Sequence, residues 1–438
     1  MRLRILITGL LLGGGIAAAQ TPATPAPASD NGQTITMDEA IRRALSILPV
    51  MVQAEGAERN ASASLLSAKG AFLPSLSFGG SSNTNSSNRF NSQTGQIVNV
   101  PSSTSYSASL SANFNIFEGF ARTATLNAAR ATADAAAAGY TTAKYQTILS
   151  VKQAYFAVLA DEELVHVAQV QAQAAQTQLQ VATDKLRAGA GVRSDSLSAA
   201  VAYGNAQVAL LTAQANLAGA QVTLGRQVGI NGPVHAISDS TIPVFPDTTA
   251  IRTTEIGSTP LVAAADAQAH AAGSFVTVSR SQYWPTFSVS YSNGFTGLQA
   301  PWNSTNTYVN NWSYRFALNW TLFNGFAREQ NITSASVTRD IATSQAADTR
   351  RSVNASISQQ VIALAASHTQ VAISEQNVAS GTEGLRVAQE KFKFGAGLLV
   401  DVETAESNLA QAQVNLVQAR FSYRTALATL AALIGKEL

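Results

Sequence analysis

The chain has no cysteine in its 438 residues. That absence excludes thiol catalysis, disulfides and an amino-terminal lipid-modified cysteine, so an exported protein of this length must be held by packing alone. Charge is also scarce. Asp, Glu, Lys and Arg make up 12 % of the residues, where about a quarter is usual, and much of the surface must therefore face protein, lipid or an uncharged polar lumen. Proline is missing from Ala121 to Ile230 and from Ala327 to the C-terminus, leaving long stretches with no helix breaker.

Residues 1–19 are expected to be a secretory signal. Arg2 and Arg4 form its basic end, Ile5 to Ile16 its apolar run, and Ala17 to Ala19 a small-residue cleavage site before Gln20. The apolar run is shorter than the ~20 residues that span a bilayer as a helix. No later apolar run is long enough either, so no transmembrane helix is expected. Removing Arg2 and Arg4 from the 28 basic residues balances the 26 acidic ones, and a neutral chain argues against nucleic-acid partners. His166, His235, His270 and His368 are scattered without ligand spacing. Ser, His and Asp combine only by abundance, with no nucleophile-elbow motif. We expect no metal, no cofactor and no enzyme.

What is present is an internal repeat. Phe117, Gly119, Phe120, Ala121 and Arg122 recur as Phe323, Gly325, Phe326, Ala327 and Arg328, an offset of 206. The same offset carries Lys185, Gly189, Ala190, Gly191 and Asp195 onto Lys391, Gly395, Ala396, Gly397 and Asp401. Pro74 matches Pro285 at an offset of 211, which places the length difference between Pro74 and Phe117. One structural unit is used twice. The organisation read from this is a flexible Pro/Ala-rich segment over 20–33, repeat one over 34–230, a linker over 231–249 and repeat two over 250–438.

Each repeat mixes strands with very long helices. From Thr104 to Ile116 the even positions carry Tyr106, Leu110, Phe114 and Ile116, and the odd positions only Ser and Asn. Trp312, Tyr314, Phe316, Leu318, Trp320 and Leu322 alternate the same way with Ser313, Arg315, Ala317, Asn319 and Thr321. Period two with one apolar and one polar face denotes strands. A β-sandwich would carry Lys and Glu on its outer face. The near-absence of both favours a membrane barrel with lipid outside and water inside. Hairpins are predicted over about 75–117 and 286–323, joined by polar loops near 88–102 and 297–311.

Helices are predicted over about 121–188, 195–228, 327–394 and 400–434, with a further helix opening each repeat, the first near Thr36 and broken at Pro49. Val165, Ala168, Ala172, Ala175, Leu179, Ala182 and Leu186 follow 3,4 spacing, matched in repeat two from Val371 to Phe392 and again from Leu409 to Leu430. This is coiled-coil packing with small knobs, which lets helices approach closely. The fold class is mainly α with a membrane β-barrel portion. Four strands cannot close a barrel and open edges are forbidden in hydrocarbon. Several copies must share one, two at the least.

Together these features resemble the TolC family of outer-membrane efflux and secretion channels. The likeness lies in TMDEAIRRALSILP (Thr36–Pro49), FLPSLSF (Phe72–Phe78), the two FxGF turns, AYFAVLADEEL (Ala154–Leu164), and the tips KLRAGAGVRSDSL (Lys185–Leu197) and KFKFGAGLLVDVETAE (Lys391–Glu406). The resemblance implies a homotrimer with a twelve-stranded barrel in outer-membrane lipid and a helical barrel in the periplasm. It also implies docking to a periplasmic adaptor and an inner-membrane pump of the resistance-nodulation-division, ABC or major-facilitator type. Efflux of small molecules is the first reading and the exit duct of a type I polypeptide secretion system the second. A trimeric adhesin also combines shared strands with coiled coils, but strands inside both repeats count against it.

By the same resemblance, Asp401 matches an aspartate ringing the channel entrance, and Asp195 holds the corresponding place in repeat one. Both also sit where an acid suits a helix N-terminus. The position one turn beyond Asp401 is Thr404 rather than an acid, with Glu403 rotated away from it by about 100°, so a double acidic ring is not expected. The latch that some members build from Tyr and Arg falls here on Phe392 and Gly397, and Arg193 is a candidate substitute. Gly189, Ala190 and Gly191, with Gly395, Ala396, Gly397 and Leu398, form tips small enough to dock an adaptor hairpin. Gly119 and Gly325 mark the strand-to-helix turns.

Overall fold

A computed structural model describes residues 33–93, 95–237, 245–246, 259–300 and 308–437. The expected signal over 1–19, the segment over 20–32 and most of the linker lie outside the described residues. In chain order the elements are β1 (Gln33–Ile35), α1 (Met37–Ile47), α2 (Pro49–Gly70), β2 (Ser75–Asn91), β3 (Gln96–Glu118), α3 (Ala121–Arg187), α4 (Arg193–Gln227), β4 (Val234–Ala236), α5 (Pro260–Arg280), a 3-10 turn (Ser281–Tyr283), β5 (Thr286–Gly297), β6 (Val309–Asn319), α6 (Ala327–Lys393) and α7 (Leu399–Ile434).

Local chemistry sets the boundaries. Thr36 Oγ1 accepts from Glu39 N at 3.4 Å and opens α1, whose first turn holds Asp38 and Glu39. Pro49 separates α1 from α2 because it occupies the first helical position, where its missing N–H costs nothing. The repeats start α3 and α6 alike. Phe120 and Phe326 take left-handed backbone angles, φ 68° and 67°, and each is followed by a helix of 67 residues. At ~1.5 Å per residue these helices are about 100 Å long.

The helices pack along the predicted seams. Ala168, Ala172, Ala175 and Ala182 are buried, and Ala172 and Ala175 meet Ala206 of α4, with Tyr203 and Leu210 alongside. Val371, Ser374, Ala419, Tyr423 and Leu430 are buried in repeat two. Two larger cores lie nearer the middle of the long helices. One gathers Val151, Tyr155, Val158, Leu224 and Phe421 around Ile35 and Val234, and the other Val353, Ile357, Val361, Leu364 and Tyr423 around Val262. In the first, β1 pairs in parallel with β4, and Tyr155 Oη lies 3.1 Å from Ile35 O and 2.8 Å from Ile237 O.

The remaining strands form one sheet in the order β2-β3-β5-β6, antiparallel throughout. Pairing of β3 with β5 joins the two repeats within the protomer and leaves β2 and β6 as open edges. Two expectations are corrected. The first hairpin has no long loop over 88–102: the strands continue to a tight turn in which Gly95 N donates to Asn91 O at 2.9 Å and Gly95 has φ 65°. Over 88–102 the apolar residues Phe90, Ile97, Val98 and Val100 follow no strict period of two, so the sequence pattern does not mark this extension as strand. The second hairpin ends at Asn319 rather than 323. There Trp320 leaves the ladder and its indole N–H donates to Tyr283 O at 3.1 Å.

Candidate channel wall and entrance

The two faces of the sheet differ sharply. One row across all four strands runs Ser77, Ser111, Ser292, Ser313, with Ser77 Oγ and Ser111 Oγ 2.7 Å apart. Ser81 with Ser107 repeats that hydroxyl contact at 2.8 Å. The opposite face carries Leu76, Phe78, Trp312, Tyr314, Phe316 and Leu318, each more than 60 % exposed. Nothing among the described residues covers them. No described helix is long and apolar enough to cross a membrane. A continuous exposed apolar face opposite an uncharged polar one is a surface fit for lipid.

Strand lengths agree with that use. β5 and β6 have 12 and 11 residues, close to the ~9–11 of a tilted spanning strand. β2 and β3 have 17 and 23. Their outer parts, beyond the Tyr106–Gly297 pair, form a two-stranded ribbon that projects past β5.

The arginine of each FxGFAR turn ties strand to helix, a role that sequence reasoning did not assign. Arg122 donates to Asn115 O and Arg328 donates to Thr321 O at 3.2 Å, bonds related by the repeat offset. Arg122 stacks on Phe72 and Phe114, and Arg328 on Tyr283. The recurrence of Arg in the motif was the available signal. The turns differ in one respect. Gly119 is buried under Ser281 and Trp284, where an added Cβ would meet Ser281 O and Trp284 Cβ at 2.6 Å. Gly325 is exposed with nothing within 4 Å.

At the far end, both helix tips close with the same C-terminal motif. Ala190 N donates to Lys185 O and Ala396 N to Lys391 O, each at 2.9 Å, and Gly189 and Gly395 hold φ 73° and 75°. This is the six-to-one bond of a Schellman turn, which requires a left-handed residue. Gly191, Gly397 and the intervening Ala190 and Ala396 keep the tips small.

The expected entrance residues divide. Asp401 is exposed, and its Oδ2 accepts from Leu398 N at 3.2 Å, so it caps α7. Thr404 is exposed and donates to Val400 O at 2.7 Å. Arg193 is exposed with no ion pair among the described residues. Asp195, on α4, lies close enough to Glu403 of α7 for its charge to act there. Burial, reinforced by the Asp195 charge, pushes the Glu403 carboxyl above its ordinary 4.5. Burial, then Glu403, does the same to Glu406. Glu403 Oε1 is buried without a hydrogen-bond partner. Glu403 and Glu406 therefore lie between the two hairpins of one protomer, a placement that residue spacing along α7 alone does not reveal. Lys185 and Phe392 meet across the same divide.

An open sheet with a lipid-fit face and a hydroxyl-lined face, continued by antiparallel coils of about 100 Å, defines a membrane channel subunit with a long helical extension. The sequence pattern of the outer membrane efflux protein family matches residues 40–229 and 254–436. The chain belongs to that family, whose place is the outer membrane with the helical part in the periplasm. No functionally curated protein matches it. Solved structures with the same fold include the Vibrio cholerae outer membrane protein VceC, 19 % identical with TM-score 0.77, covering 92 % of this chain and 96 % of that one. The Campylobacter jejuni outer membrane channel CmeC is 17 % identical with TM-score 0.76, covering 91 % and 85 %. The open-state outer membrane channel MtrE of Neisseria gonorrhoeae is 16 % identical with TM-score 0.75, covering 91 % and 89 %.

Proposed function

We propose that three copies of this chain close a twelve-stranded barrel and serve as the outer duct of a tripartite pump. Through it drugs or other small molecules leave passively, driven by an inner-membrane transporter linked through a periplasmic adaptor. The observation that carries this reading is the pair of open edges. β6 of one protomer meets β2 of the next, as β3 meets β5 within the protomer, and unpaired edges are not tolerated in hydrocarbon. The bare Gly325 turn supports the same closure, since its counterpart Gly119 is covered by the other repeat.

The protein performs no bond chemistry in this role. Its working parts are the hydroxyl wall, the small glycine tips that receive the adaptor, and the periplasmic entrance. Asp401 is exposed beside that entrance, and a symmetric set of carboxylates there concentrates negative potential and favours cations. Light scattering of the detergent-solubilised protein tests the assembly and planar-bilayer recording tests the pore. Three copies per particle and discrete conductance are expected. A single copy per particle, or absence of conductance from trimers, overturns the reading.

A further inference from the structure

The hydroxyl-lined face of the sheet holds one unbalanced charge over the length shared by all four strands. Arg315 lies on β6 in register with Ser290, Asn113 and Ser75. Its neighbours on that face are uncharged. The side chain is exposed and has no ion pair or hydrogen bond among the described residues. The acid nearest along this face is Glu118, in the row of Thr286 and Asn319. That row is four residues away, about 14 Å at ~3.4 Å per residue. Glu118 is also already engaged, 3.8 Å from Arg122. With a screening length of ~8 Å at physiological salt, Glu118 does not neutralise Arg315.

We propose that the three Arg315 guanidinium groups form a cationic ring inside the barrel that selects for and transiently binds small anions bearing carboxylate or phosphate groups. This rests on the three-copy channel described above. Twelve strands at ~4.8 Å spacing, tilted about 40°, close a barrel roughly 24 Å across. Arginine side chains reaching inward bring their guanidinium groups within about 10 Å of one another, comparable to the screening length, so their potentials overlap. The guanidinium fork matches carboxylate and phosphate oxygens in pairs. The hydroxyls of Ser290 and Ser313 flank it and add neutral donors without a competing charge. Placement partway along the strand puts the ring within the wall of the pore rather than at its rim.

The test uses the purified full-length protein in planar bilayers, with a KCl gradient to read selectivity and citrate as the multivalent probe. Arg315→Gln is expected to shift the reversal potential toward cation preference and to weaken citrate block of the KCl current at least ten-fold. Arg315→Lys should keep the selectivity. Because the chain has no cysteine, Arg315→Cys gives a unique thiol. A cationic thiol reagent should shift the reversal potential back toward the wild-type value and an anionic one should shift it further away. Arg315→Gln pores with the wild-type reversal potential and citrate sensitivity overturn the ring. Failure of the wild-type protein to form pores at all overturns instead the channel reading beneath it.

Discussion

Lys185 Nζ sits 3.7 Å from the centroid of the Phe392 ring. The ammonium belongs to the last turn of α3 and the ring to the last turn of α6, so the contact fastens the tip of repeat one to that of repeat two. Phe392 stands where the resemblance places a latch residue and lacks the hydroxyl for a hydrogen bond. Its aromatic face takes a cation instead.

Breaking this contact should loosen the entrance. Cation–π pairs contribute about 0.5–1 kcal/mol when exposed and ~2 when desolvated. Lys185→Ala and Phe392→Leu are each expected to raise open probability or conductance in bilayer recordings several-fold, and Phe392→Tyr to leave it near wild type. Unchanged gating in both loosening variants would show that the contact holds nothing shut.

Acid should tighten the same end. Glu403 and Glu406 have carboxyl groups raised above 4.5, chiefly by burial. The packed tip therefore binds protons more firmly than free carboxylates do. Its electrostatic penalty is absent in acid and grows as pH rises from the ordinary carboxylate value through the raised one. Asp195 on α4 adds to the repulsion. Conductance should fall, and backbone amides near the tips exchange more slowly, as pH drops toward that range. Glu403→Gln should flatten the dependence. A wild-type pH profile in Glu403→Gln would place the titration elsewhere.

The faces of the sheet should separate by reactivity. Cysteines at Leu110, Phe114 and Phe316 are expected to resist a membrane-impermeant thiol reagent in reconstituted protein, and those at Ser109, Asn113 and Asn319 to react. Equal labelling would mean the apolar face does not meet lipid.

The two turn glycines offer a test of assembly. Both hold positive φ, 59° and 69°, where an alanine is strained by about 1–2 kcal/mol. Gly119→Ala adds a collision with Ser281 and Trp284 inside the protomer. If a neighbouring protomer covers Gly325 as Trp284 covers Gly119, Gly325→Ala should impair trimer yield as severely, measured by native mass in detergent. A mild Gly325→Ala would show that the turn stays bare after assembly.

The repeat, the long helices and the alternating strands were legible because each writes a short-range period into the chain. Ala168, Ala172 and Ala175 are spaced by 3 and 4 and are buried as that spacing requires. The entrance was less legible. Whether Asp195 comes within reach of Glu403 depends on how two coiled hairpins are rotated about each other, and spacing within either one does not fix that angle. The covering of Gly119 by Trp284 is likewise a contact between residues 165 positions apart, with no local mark in either segment.

Equal length in α3 and α6, 67 residues each from matching turns, makes the protein a ruler. Both repeats measure the same distance from the membrane-facing turn to the tip, so all the tips of an assembly come level. Removing four residues from α3 alone would set its tip back by about 6 Å and leave a stepped rim. Removing one heptad from α3 and α6, with matching heptads from α4 and α7, shortens the ruler by ~10 Å while keeping the seams in phase. The reach across the periplasm is thus written as a residue count, and a partner of fixed height constrains that count more tightly than it constrains any single side chain.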